Sequence, residues 1–348
     1  MKVLVTGHDG YIGTVLVPML QQAGHEVTGI DSYLFGDCVF GDRVFGAGHV
    51  DPASLRLDIR DVEPAHLEGF DAVIHLAAVS NDPLGDLHPE STLAINHRAT
   101  VRIATAAKSA GVERFLFSSS CSLYGAHGDD FLDESGEFNP VTPYGESKVL
   151  SERDLGAMAD DDFSPTYLRN ATAYGSSPRL RGDLVVNNLT GFALTTGKVF
   201  LKSDGSSWRP LVHVEDIARA FLVILEADRG LVHDEAFNVG ATEENYQIRD
   251  VATMVRDIVD GSKVTLSDTA FNDPRNYRVN CDKLVTALPA ARARWTVVKG
   301  IEQLYEDYRR HGLTIDDLEG DRYMRIRHVQ ALQRAGTLDE SLRWVEKS

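Results

Sequence analysis

The sequence predicts an α/β fold: a Rossmann-type, doubly wound parallel sheet followed by a smaller α/β domain. Three observations carry this. Short apolar runs alternate with longer helical patterns through the first half, the rhythm of βαβ units. A glycine loop, Thr6-Gly7-His8-Asp9-Gly10-Tyr11-Ile12-Gly13, separates the first run from the first helical pattern. After Arg169 the rhythm loosens into Gly-, Asn-, Pro- and Arg-rich loops, where the second domain is expected to start.

Lys2–Thr6 reads as the first strand and Tyr11–Ala23 as a helix, with Ile12, Val15, Leu16, Met19 and Leu20 on one face. Val27–Asp31, Ser54–Asp58 and Asp71–Ala77 follow as strands, then a helix over Pro89–Ala110. Arg114–Ser118 is the fifth strand, Pro143–Ala159 a helix and Ser164–Leu168 the sixth strand. The expected division is 1–169 for a dinucleotide domain to which later segments return, 170–311 for a substrate domain, and 312–348 for an accessory tail. In that tail Arg322–Arg334 and Leu338–Val345 read as helical. Tyr33–Gly48, with aromatic–glycine pairs at Phe35, Phe40 and Phe45, reads either as an insertion on the sheet edge or as a flap over the cofactor.

The chain has 348 residues, 43% of them hydrophobic, enough for a sizeable core. No apolar run approaches a membrane span, and Met1-Lys2 leads into a strand without a signal-peptide region, so a cytoplasmic location and no membrane partner are expected. Cys38, Cys121 and Cys281 lack CxxC spacing, which points away from a metal site and structural disulfides. A net charge of −17 argues against nucleic acid, so any phosphate must be held by a few well-placed donors.

The glycine loop supplies those donors. Gly7 permits the tight turn, Gly10 lets backbone approach a diphosphate, and Gly13 lets helix pack on strand, with Tyr11 and Ile12 opening the helix. The helix N-terminus adds free N–H groups and a positive dipole end. Asp31 ends the second strand, where a carboxylate accepts both adenosine-ribose hydroxyls and repels a 2′-phosphate, favouring NAD. Asp58 and Ile59 follow the third strand as candidates for the adenine, while Leu76, Ala77 and Ala78 end the fourth, where small residues let a dinucleotide cross the sheet.

Downstream, Thr142-Pro143-Tyr144-Gly145-Glu146-Ser147-Lys148 starts a helix with a capping Thr and a first-turn Pro. Tyr144 and Lys148 then share a face one turn apart. A free tyrosine titrates near 10, and a neighbouring ammonium favours its phenolate, making Tyr144 a candidate acid/base.

Together these residues resemble the extended short-chain dehydrogenase/reductases of the nucleotide-sugar epimerase/dehydratase branch. The matches include the glycine loop, Asp58-Ile59, His75-Leu76-Ala77-Ala78, Asn96, Ser118–Gly125, and Tyr144 with Lys148. Further along come Asn187-Asn188-Leu189, Trp208–Asp216, Phe237–Gly240 and Asp273–Tyr277. The resemblance implies that Ser120 hydrogen-bonds the reacting sugar hydroxyl, that Tyr144 takes its proton, and that Lys148 binds the nicotinamide ribose. It also implies Asn96 in the cofactor site, Asn188, Leu189, Arg209 and Arg275 around a nucleotide-diphosphate sugar, and a homodimer.

Departures from the family narrow the reaction. The 4,6-dehydratases resembled here carry an Asp-Glu pair directly after the catalytic Ser/Thr, whereas this chain has Cys121 and Ser122, and glucuronate decarboxylases place Glu at the position of Ser122. What remains is 4-epimerisation through a transient 4-keto sugar, with ketone reduction as the alternative and a catalytically silent relative as a third. Thr172 stands where many relatives have Asn, leaving the sugar open. Of the cations in the following loop, Arg179 is expected to reach a ligand and Arg181 to face solvent.

Overall fold

A computed structural model describes residues 1–41, 51–80, 82–271 and 275–345. The end of the expected Tyr33–Gly48 loop, including Phe45, and the Asp273-Pro274 dipeptide lie outside the described residues. The first half runs β1 (Lys2–Thr6), α1 (Gly13–Gln22), β2 (Glu26–Asp31), β3 (Ala53–Arg56), β4 (Ala72–His75), α2 (Asp82–Leu87), α3 (Pro89–Leu93), α4 (Ala99–Ser109), β5 (Arg114–Ser120), β6 (Ala126–Leu132), α5 (Pro143–Gly156) and β7 (Ser164–Asn170). A π-helical turn, Ala94–Arg98, joins α3 to α4 within the single helix expected over Pro89–Ala110.

The second half runs β8 (Thr172–Tyr174), α6 (Val185–Thr196), β9 (Lys198–Ser203), β10 (Trp208–His213), α7 (Val214–Glu226), α8 (Arg229–Val232), β11 (Glu235–Val239), β12 (Asn245–Gln247), α9 (Ile248–Ile258), β13 (Lys263–Phe271), β14 (Asn276–Val279), α10 (Asp282–Ala287), α11 (Val297–Arg310), α12 (Ile315–Glu319) and α13 (Arg325–Arg334).

The main sheet is parallel, in the order β11-β7-β5-β4-β1-β2-β3. Its inner strands β1, β4, β5 and β7 are buried almost throughout, as expected when helices cover both faces. On one face Val15, Leu16 and Leu20 of α1 pack with Ile217, Phe221 and Ile224 of α7. On the other, Ile103, Ala104 and Ala107 of α4 cover Leu4, Val73, Phe115 and Phe117. The strands therefore end along one carboxyl edge, presenting Thr6, Asp31, His75, Ser120 and Asn170 together.

Beside that edge lie the sheets β12-β10-β8 and β13-β9. Their core joins Leu189 of α6, Val199 and Leu201 of β9, Val251 and Val255 of α9, and Ile301, Leu304 and Tyr308 of α11.

The tail folds back across the first half. Val329, Leu338 and Leu342 pack against Val79 and Leu84. The Trp344 indole donates to the Ser32 carbonyl at 2.7 Å, and Arg343 pairs with Asp61 at 2.6 Å. Leu338–Val345 is not the expected helix: Leu338 bridges Trp344 across a reversal in which Leu342 takes a positive φ of 61°. The Asp339 carboxylate drives this turn by accepting from the Ser341 hydroxyl and the Arg343 N–H, each at 2.8 Å, bonds that compete with a helical ladder.

Candidate active site

A cavity of about 570 Å³ runs along the carboxyl edge of the main sheet, from Asp58 and Ile59 at one end to Arg209, Arg275 and Tyr277 at the other. Its first half is built by the glycine loop. Gly7 has φ of +73°, and a Cβ there would stand 2.8 Å from the Ala77 backbone nitrogen. At Gly13 a Cβ would meet the Gly7 carbonyl oxygen at 2.3 Å, so only glycine lets the loop close under α1. No side chain caps α1, and Gly10, Tyr11, Ile12 and Gly13 at its start line the cavity. Asp31 also lines this end; its carboxylate accepts from Tyr33 N–H at 2.8 Å and Asp9 N–H at 3.1 Å, while burial pushes its pKa up. A cradle closed to any Cβ, an uncapped helix start and a strand-end carboxylate fit a dinucleotide without a 2′-phosphate.

In the central part, Thr142 caps α5 by accepting from Gly145 N–H at 3.2 Å, fixing the turn that carries Tyr144. Lys148 follows on the same face. Its ammonium donates to the Ser118 carbonyl at 2.7 Å, lies 4.6 Å from the Phe117 ring centroid and 5.5 Å from that of Tyr144. Burial lowers the Lys148 pKa to about 7, with Glu152 opposing the shift. Ser120 ends β5 with its hydroxyl held by Ser122, whose N–H and hydroxyl oxygen both stand 3.1 Å away. Ser120, Tyr144 and Lys148 thus share one wall, the arrangement needed to hold a hydroxyl and move its proton.

Behind that wall the network is buried. His75 bridges Thr6 at 2.7 Å and Thr100 at 2.9 Å, and burial, seconded by the nearby Lys148 charge, drives its pKa down to about 3. Arg169 forks onto Glu152, which also accepts from Ser119 at 2.5 Å, bracing the end of β5.

Residues 3–240 match the sequence profile of the NAD dependent epimerase/dehydratase family. The chain belongs to that family. It is 29% identical over 297 residues to an uncharacterized UDP-glucose epimerase of Bacillus subtilis, covering 81% of this chain and 90% of that one. It is also 29% identical over 276 residues to a UDP-glucose 4-epimerase of Corynebacterium glutamicum, covering 74% of this chain and 80% of the relative. Among solved structures, the dTDP-glucose 4,6-dehydratase DesIV of Streptomyces venezuelae, with NAD and TYD bound, is similar in fold with a TM-score of 0.79 at 23% identity, covering 92% of this chain and 100% of DesIV. The protein is accordingly an NAD-dependent enzyme of the nucleotide-sugar epimerase/dehydratase family.

Most of the expected family positions line one cavity: Gly7, Gly10, Tyr11, Ile12, Gly13, Asp31, Asp58, Ile59, Leu76, Ala77, Ala78, Ser120, Tyr144, Lys148, Thr172, Asn188, Leu189, Arg209 and Arg275. Asn96 does not. Its amide sits in the widened turn before α4, donating to Val79 O at 2.9 Å and accepting from Val79 N at 2.8 Å, so it fixes the loop after β4 from behind. The expectations for the two loop arginines reverse. Arg179 lies wholly buried under the glycine loop, its Nη2 2.6 and 2.7 Å from the Asp9 carboxylate, because that acid is the nearest compensation for a buried guanidinium. Arg181 is buried and lines the cavity, pairing with Asp183 at 2.7 Å and reaching the Ser80 carbonyl at 3.2 Å.

Asp58 lines the cavity beyond the end of β3, capping the next turn and paired with Arg60 at 2.5 Å. Leu34 and Phe35 line the cavity within the described part of the glycine–aromatic loop. Sequence reasoning missed Met324, Arg325, Ile326 and Leu342, tail residues that complete the wall. Their pattern carried no family motif, and only the fold-back of the tail brings them there.

Proposed function

We propose that this enzyme is an NAD-dependent nucleotide-sugar 4-epimerase. The observation that carries the reading is the state of the carboxylates lining the cavity among the described residues. Asp9 is held by Arg179, Asp31 by backbone N–H groups, Asp58 by Arg60 and Asp183 by Arg181. Beside Ser120, Cys121 is buried with its thiol donating to the Arg169 carbonyl, and burial pushes its pKa well up. An elimination of water needs an acid and a base at adjoining sugar carbons, and among the described residues the Ser120–Tyr144–Lys148 wall is the group arranged for proton transfer.

In this reading the segments before Asn170 hold NAD, and Thr172, Asn188, Leu189, Arg209 and Arg275 hold the sugar nucleotide. The Arg209 guanidinium donates to the carbonyls of Trp208 and Arg275, which sets its planar fork across the far end of the cavity for a diphosphate. Ser120 orients the sugar 4-hydroxyl toward the Tyr144 oxygen. Tyr144 takes that proton, and the Lys148 ammonium stabilises the phenolate from which it starts. The chemistry that bound NAD would supply there is a hydride acceptor, and then a hydride donor, for C4. Once the keto sugar has turned so that its other face meets the returning hydride, Tyr144 gives the proton back to the 4-oxygen.

The test is incubation of the purified enzyme with UDP-, dTDP-, CDP-, ADP- and GDP-sugars. One of them equilibrates with its 4-epimer without added reductant. Loss of water from the sugar, or stoichiometric consumption of reduced cofactor on a keto sugar, overturns the reading.

A further inference from the structure

We propose that Arg325 and the first turn of α13 form a second anion-binding wall of the cofactor cavity, opposite the glycine loop, and take the diphosphate of the dinucleotide. Met324, Arg325 and Ile326 all line the cavity, so α13 begins at its wall. No side chain caps this helix start, so its positive end meets the cavity that Gly10 and Tyr11 also line.

Arg325 supplies the second, independent observation. It is 5% exposed, and its Nη1 has no hydrogen-bond partner among the described residues. Nη2 donates to the Arg179 carbonyl at 3.3 Å, and the guanidinium lies 3.8 Å over the Phe35 ring. Its neighbours Arg179 and Arg181 each have a carboxylate, in Asp9 and Asp183. Arg325 forms no ion pair among the described residues, and burial beside Arg181 pulls its pKa down to about 10. A cation buried without a counter-charge is costly and calls for an anionic partner.

Its position says which anion. Phe35 belongs to the segment that leaves β2 after Asp31, the ribose end of the site, whereas Arg179 anchors Asp9 of the glycine loop. The guanidinium therefore bridges the ribose and glycine-loop sides, where a dinucleotide's diphosphate passes. This rests on NAD binding alone and is independent of which sugar reaction follows.

The test measures binding to cofactor-free full-length enzyme by competition calorimetry, with NAD, ADP, adenosine and UDP as probes. R325M is expected to weaken NAD and ADP about 10- to 100-fold, the loss of a charge-assisted hydrogen bond. Adenosine and UDP should change less than about twofold, and R325K should recover most of the loss. The ratio of ADP to adenosine affinity within one variant cancels any general damage to the fold; should R325M not fold, R325Q and R325K carry the same comparison. Equal weakening of ADP and adenosine, unchanged NAD affinity, or a loss confined to UDP, the diphosphate of the other ligand, would each overturn the proposal.

Discussion

Arg179 grips the carboxylate of Asp9 from beneath the glycine loop, with Nη2 at 2.6 and 2.7 Å and Nε at 3.0 Å from the Asp9 carbonyl. The contact ties the loop after β8 to the loop after β1, across 170 positions of sequence. Removing one member of such a pair strands the other. R179M should cost about 3 kcal/mol in urea unfolding, at the low end for a broken buried pair because Asp9 is partly exposed. NAD should bind more weakly as well, since an uncompensated Asp9 carboxylate would face the diphosphate. D9N/R179M should recover most of the NAD affinity; a double variant no better than R179M would separate the pair from cofactor binding.

Tyr144→Phe should lower turnover by about 10²- to 10⁴-fold, the usual worth of one positioned acid/base. NAD affinity and thermal melting should stay within error, because Thr142 and Pro143, not the phenol, set the start of α5. Comparing turnover with NAD titration on the same preparation checks both halves.

Lys148 gives stability a pH signature. Its folded pKa of about 7 lies below the unfolded value near 10.4, so above pH 7 the unfolded chain binds the extra proton. Its contribution to stability therefore rises with pH, by up to about 1.4 kcal/mol per unit between pH 7 and 10. The unfolding free energy of cofactor-free wild type minus that of K148M should climb over that window. A flat difference would refute a desolvated ammonium.

His75 acts at the acid end. Its folded pKa of about 3 lies under the ordinary 6.5, so the protein loses stability as pH falls below 6.5, again by up to about 1.4 kcal/mol per unit. His213, held at about 4 by burial, adds to the same slope. H75Q should be less stable at pH 7, losing its bonds to Thr6 and Thr100, yet decline less steeply between pH 6.5 and 4.5. Denaturant titrations at several pH values distinguish the slopes.

Asp31→Ala should weaken NAD by about tenfold or more and narrow the preference over NADP, since two hydroxyl contacts and a repulsive charge go together. Parallel titrations with the two cofactors measure this.

The parallel sheet was legible because its signals are local. The apolar runs of β1, β5 and β7 and the glycines at positions 7, 10 and 13 each reflect a constraint met within a few residues. The fate of Arg179 and Arg181 was not, because the partners that decide it are Asp9, far off in sequence, and the cavity wall itself. The Leu338–Val345 turn was misread for a related reason: Leu338 and Leu342 have helical spacing, but the Asp339 carboxylate spends its bonds on a turn. Arg325 was invisible as a site residue because nothing near it in sequence is a recognisable motif.

The returning tail also imposes an order of assembly. Strands β1 to β7 and the glycine loop emerge from the ribosome well before residues 325–345, so the nascent fold presents the dinucleotide trough with one side missing. That side is closed by Leu342, which lines the cavity, while Arg343 and Trp344 pin the tail to Asp61 and Ser32. A tail pinned in this way acts as a retaining wall, so a chain truncated before Arg322 is expected to exchange NAD faster than the full chain.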